Sequence, residues 1–114
     1  MIAVIFELQP NTGHEQRYFD IAAELKPQLE LVDGFISVER FESLSRPGRF
    51  LSLSFWRDED AVRRWRCHGS HRAGQQEGRS RVLASYRLRV AGVMRDYGLD
   101  ERVQAPEDSR LALL

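Results

Sequence analysis

Residues 33–56 read Asp33-Gly34-Phe35-Ile36-Ser37-Val38-Glu39-Arg40-Phe41-Glu42-Ser43-Leu44-Ser45-Arg46-Pro47-Gly48-Arg49-Phe50-Leu51-Ser52-Leu53-Ser54-Phe55-Trp56. Two β-prone runs, 35–44 and 49–56, flank Ser45-Arg46-Pro47-Gly48. Proline followed by glycine presets the dihedral angles of a tight turn, so the segment is predicted to be a β-hairpin. Side chains on a strand alternate between faces. In the second strand Leu51, Leu53 and Phe55 therefore share one face, and Ser52, Ser54 and Trp56 the other. The apolar set is expected to pack under helices. The hydroxyl-and-indole set suits a wet cavity or a subunit contact.

Upstream of the hairpin, Tyr18, Ile21, Ala22, Leu25, Leu29 and Val32 trace the i, i+3/i+4 stripe of an amphipathic helix. Pro27 lies inside it and is expected to kink or restart it, since it lacks a backbone donor. Asp33-Gly34 is the predicted stop, because glycine takes the left-handed conformation that ends helices. Before the helix, Ile2, Val4, Phe6 and Leu8 fall on one face of a strand over 2–8, followed by the turn cluster Pro10-Asn11-Thr12-Gly13.

Downstream, Asp58-Glu59-Asp60 supplies an acidic first turn that complements a helix dipole. That helix runs through Ala61, Val62 and Trp65 to about Arg66. Gly69, Gly74 and Gly78 then make 70–79 a weaker helix or an ordered loop. A last strand over 83–95 alternates Tyr86, Leu88, Val90 and Met94 against Arg87, Arg89 and Arg95. The order is β-α-β-β-α-β, and right-handed crossovers put both helices on one face of a four-stranded antiparallel sheet. This predicts an α+β, ferredoxin-like split βαβ fold. The opposite sheet face, expected to include Phe41 and Trp56, is left bare, which calls for a homodimer burying sheet against sheet.

A chain of 114 residues holds one core, assigned to residues 1–98, with a polar C-terminal tail over 99–114. No apolar run approaches the roughly 18 residues of a membrane span. The start, Met1-Ile2-Ala3-Val4-Ile5-Phe6, lacks the basic region and cleavage site of a signal peptide, so a mature N-terminus and a cytoplasmic location are expected. A single cysteine, Cys67, excludes an internal disulfide framework and a cysteine-based zinc cluster. The 17 basic and 17 acidic side chains balance, but unevenly. Residues 57–95 carry ten arginines against four acids, while the last 19 residues carry two against five. Codon bias accounts for arginine over lysine, Lys26 being the only lysine; an electropositive pocket wall is the functional alternative. A neutral chain lacks the electrostatic footprint of a nucleic-acid binder.

Three pieces together carry a family resemblance: Asp33-Gly34-Phe35-Ile36-Ser37, Leu53-Ser54-Phe55-Trp56, and the run from Glu59 through Trp65 to His71. Over about residues 1–98 the chain resembles the antibiotic biosynthesis monooxygenase (ABM) family of dimeric α+β barrels. The resemblance implies a ligand cavity between helices and sheet in each subunit. It also implies oxidation of a small aromatic or polyphenolic compound with O₂, without metal or flavin, or, in another branch, heme degradation. Trp65 and His71 would carry the chemistry, the indole stacking on a flat ring and the imidazole moving a proton. Active members pair the tryptophan with an asparagine. The single asparagine here, Asn11, sits in the first turn, and Ala61 stands one helical turn before Trp65. Gln75 occupies the position of the heme-binding histidine, which disfavours heme degradation. The competing function is a non-catalytic ligand-binding or stress-response dimer of the same fold.

The catalytic candidates are thus Trp65 and His71, and the ligand-binding candidates are Trp56, Tyr86, Arg87 and Arg89. Each has a plainer reading. The two tryptophans also suit a core, and cross-strand ion pairs with Glu39 or Glu42 also account for Arg87 and Arg89. His68 and His71 could share a helical face but lack an obvious third metal ligand. Cys67, between Arg66 and His68, is placed for a lowered thiol pKa, without a resolving cysteine or an oriented base. No metal and no cofactor is expected.

Overall fold

The computed structural model describes residues 1–69, 72–73, 76 and 81–110. Strands β1 (Ile2–Pro10), β2 (Phe35–Glu42), β3 (Phe50–Trp56) and β4 (Leu83–Gly92) form one antiparallel sheet in the order β2-β3-β1-β4. Helices α1 (Glu15–Leu29) and α2 (Glu59–Arg66) complete the β-α-β-β-α-β order, and a short α3 (Glu107–Arg110) follows. This is the expected α+β ferredoxin-like arrangement. Leu25 and Leu29 of α1 and Ala61, Val62 and Trp65 of α2 gather with Ile2, Val4, Val38 and Trp56, so both helices lie on one sheet face. A shortest dimension of 20 Å is that of one sheet under one helix layer.

The covered face is the reverse of the one expected. Register sets Ile2 opposite Trp56 and Val4 opposite Ser54, and Ile2, Val4 and Trp56 join the helix-side core. Trp56 is 2% exposed and Ser54 8%. The reason is a closed polar account: the Trp56 indole nitrogen donates to Ser54 Oγ at 2.9 Å. A donor and an acceptor that satisfy each other can be buried together, and the indole brings a large apolar area with it. Leu51, Leu53 and Phe55 instead share the bare face with Ala3 and Ile5 of β1 and with Phe41.

Element ends differ from expectation for local reasons. Helix α1 runs through Pro27 without restarting but stops at Leu29; the N–H groups of Glu30, Leu31 and Val32 close turns onto Lys26, Gln28 and Leu29. Strand β2 ends at Glu42, because the N–H of Ser43 bonds Arg49 and the Arg46–Arg49 turn closes through Gly48 at φ +88°. Strand β4 ends at Gly92 rather than 95, since Val93 N–H bonds the Met1 carbonyl and its partner β1 begins there. Most of the expected helix or loop at 70–79 lies outside the described residues.

The segment Asp33-Gly34 seats α2. Gly34 has φ +92°, and a Cβ there would lie 2.6 Å from the Ala61 Cβ. Arg57 clamps Asp33 through two 3.1 Å hydrogen bonds and reaches Asp58 at 2.9 Å. Asp58 in turn caps α2 by accepting from Ala61 N–H at 2.9 Å. Just beyond Gly34, β2 holds one residue more than β3: Phe35 pairs with Trp56 and Ser37 with Phe55, leaving Ile36 as the extra residue of a bulge. Phe35 and Val38, three apart, consequently both reach the helix-side core, and the Phe35 ring meets Trp56 edge-on at 5.3 Å.

Candidate active site

Trp65 projects from the last turn of α2 into the core cluster and is 9% exposed. Its ring lies 5.4 Å from that of His68, tilted by 31°. His71, the expected proton carrier, lies outside the described residues. Tyr86 pairs in register with Leu8, which puts it on the helix-side face with Phe6, whose ring it meets at 5.6 Å. Leu88 and Val90 follow on that face. Tyr86, Leu88 and Val90 are 50%, 45% and 46% exposed. They form an apolar shelf ending in a phenol, on the same face as Trp65. Parity with Tyr86 is the signal that would have added Leu88, Val90 and Phe6 to the candidates.

The five described candidates do not converge. Trp56 is sealed beneath α2, its N–H already taken by Ser54. Arg87 and Arg89 stand in register with Glu7 and Ile5, on the sheet face opposite Tyr86. Their expected partners are also wrong: β3 and β1 separate β4 from β2, so Glu39 and Glu42 are out of reach. Arg89 instead pairs with Glu7 at 3.2 Å, and Arg49 takes the other Glu7 oxygen at 3.3 Å. The hydrogen bond from Arg49, reinforced by Arg89, holds the Glu7 carboxyl below its ordinary range. Sequence reading missed Glu7, and its being the single acid of β1 was the available signal.

Cys67 follows α2 at the rim of a hollow of about 360 Å³ lined by Asp60, Arg63, Arg64 and Cys67. Arg72 donates to its sulfur at 3.6 Å, and this contact, with Arg66 and Arg63 nearby, lowers the thiol pKa. Ala61 is fully buried against Gly34. Among the described residues, no three His, Cys, Asp or Glu side chains stand together as metal ligands, and no helix is long and apolar enough to cross a membrane.

Sheet order, a one-sided helix layer, and an α2 tryptophan and an open β4 shelf on that same side define a ferredoxin-like α+β protein with its candidate site between helices and sheet. The chain belongs to the antibiotic biosynthesis monooxygenase family, whose model matches residues 1–77. It is 50% identical over 93 residues to a Pyricularia oryzae protein named jasmonate monooxygenase ABM. That match takes in 82% of this chain and 43% of the relative, so the chain spans less than half the relative's length. Among solved structures, Rv0793 from Mycobacterium tuberculosis superposes with a TM-score of 0.76 at 14% identity, covering 85% of this chain and 98% of that one. A structure of SnoaB, a cofactor-independent oxygenase from Streptomyces nogalater, gives 0.72 at 12% identity, covering 83% and 94%. At these identities the structural likenesses speak to fold.

Proposed function

We propose that this protein is a monooxygenase that oxidises a small aromatic or polyphenolic compound with O₂, without metal or flavin, in a cytoplasmic homodimer. The observation that carries the reading is the half-exposed shelf of Tyr86, Leu88 and Val90 on the sheet face that also holds Trp65. Family membership and the monooxygenase name of the fungal relative support the reaction class. A flat ring would lie against the shelf, with Trp65 limiting its orientation. Removal of the phenolic proton, assigned to His71, leaves an anion electron-rich enough to reduce O₂. One oxygen atom then bonds to a ring carbon. The other leaves as water, carrying the hydrogen of that carbon and the phenolic proton, and the product is a quinone. Atoms and electrons balance without a reductant.

The test is oxygen uptake against a panel of polyphenols, in the wild type and in Trp65→Ala and His71→Ala. Loss of uptake in both variants supports the roles, and unchanged uptake removes them. Jasmonate belongs in the panel because of the fungal relative's name. Oxygen insertion at one of its saturated carbons needs two further electrons, so that arm includes a reductant. A second reading, a ligand-binding dimer without turnover, is favoured by Ala61, which fills with a methyl group the position where active relatives were expected to carry asparagine. Saturable binding with no oxygen uptake would select it. The dimer is proposed to form through the bare face of Ala3, Ile5, Leu51, Leu53 and Phe55, and sedimentation at micromolar concentration reads it directly.

A further inference from the structure

We propose that residues 96–110 of one copy dock on the arginine-bearing face of β4 in a second copy. The proposal rests on the homodimer above and names a contact that reading does not contain. Strand β4 is a sheet edge, and from Ala84 to Gly92 every residue is exposed. Long exposed edges are usually covered. Its bare-face side carries Arg87 and Arg89, with Arg49 nearby on β3's approach, against the single carboxylate of Glu7.

The segment after the strand has the opposite charge and is braced on itself. Asp96 N–H donates to Gln104 at 2.8 Å and Gly98 N–H to the Glu101 carbonyl at 2.6 Å. Arg102 donates to the Gly98 and Ser109 carbonyls and lies 5.5 Å over the Tyr97 ring, while Arg110 donates to Ala105 and Val103. Both arginines of the segment are thus engaged in holding its shape. Asp96, Asp100, Glu101, Glu107 and Asp108 face solvent beside exposed Leu99 and Val103. An acidic, apolar-edged segment matches in charge the exposed cationic edge of β4, and a two-fold dimer exchanges two such contacts.

Two double variants test the exchange, each checked for native circular dichroism. Arg87→Glu/Arg89→Glu reverses the β4 side, and Asp100→Arg/Glu107→Arg reverses the arm without touching its bracing arginines. Each homodimer is expected to dissociate at least tenfold more readily than wild type at low salt, with the difference fading above about 0.5 M salt as charges are screened. Mixed in equal amounts, the two variants should recover wild-type affinity, because both exchanged contacts then pair opposite charges. Dimers of unchanged affinity in either variant, or a loss that mixing does not repair, would overturn the docking while leaving the sheet-to-sheet dimer standing. A monomeric wild type would overturn the dimer itself.

Discussion

Replacing Gly34 with alanine tests the contact that seats α2 against the entrance of β2. Gly34 holds φ +92°, where a side chain costs about 1–2 kcal/mol. The new methyl would also lie 2.6 Å from the Ala61 Cβ. Carbon atoms settle at about 3.5–4.0 Å, so α2 must move by about 1 Å, and overpacking of this kind costs about 1–3 kcal/mol. The sum is about 2–5 kcal/mol. For a domain of this size that lowers the melting temperature by roughly 8–20 °C, read by circular dichroism and calorimetry. Gly34→Ala/Ala61→Gly removes the clash and keeps the backbone strain, so it should be at least about 1 kcal/mol more stable than the sum of the single variants. A Gly34→Ala protein melting within about 2 °C of wild type, or strict additivity in the double variant, would refute the reasoning.

Ala61→Asn puts an amide into a fully buried site beside Gly34 and should cost about 2–5 kcal/mol in urea unfolding; a wild-type midpoint would mean that the site has room. Ser54→Ala strips the acceptor from the buried Trp56 N–H, with an expected loss of about 1–3 kcal/mol, and a loss under about 0.5 kcal/mol would mean that the indole finds another acceptor. The thiol pKa of Cys67 is lowered first by the Arg72 hydrogen bond. Its thiolate therefore persists to lower pH than in free cysteine, and the iodoacetamide rate profile should be displaced to lower pH. Arg72→Ala should move the profile back up, and superimposed profiles would show that the guanidinium does not act on the sulfur.

The elements were legible because their signals are local. Period two in Ile2–Leu8 and Phe50–Trp56, the Pro47-Gly48 turn and the α1 stripe each depend on residues within a few positions of one another. The covered sheet face was not legible. Ser52, Ser54 and Trp56 look more polar than Leu51, Leu53 and Phe55, and only the internal Trp56–Ser54 bond shows why the first set is buried. The partner of Arg89 required the strand order, which lies beyond any local pattern. For the candidate site, Trp65 and Tyr86 were found by type and spacing and do share the helix side of the sheet. Arg87 and Arg89 were chosen by charge, and the pleat sends them to the other face. The Gly34–Ala61 approach joins positions 27 residues apart, and nothing in either neighbourhood announces it.

The extra residue in β2 makes this part of the chain sensitive to length as well as composition. Because Ile36 is unmatched on β3, Phe35 and Val38 face the same way across an odd interval. A deletion of one residue between Gly34 and Val38 would remove the unmatched position and set the two side chains two apart, the interval at which regular alternation keeps both on the core side. A slip into regular pairing at the present length would instead take Phe35 off the Trp56 indole, or turn over Val38 and everything after it to the hairpin. Loss of the one extra residue is therefore expected to preserve both faces, just as the turn at Arg46–Arg49, closed outside the ladder, can change length without inverting one.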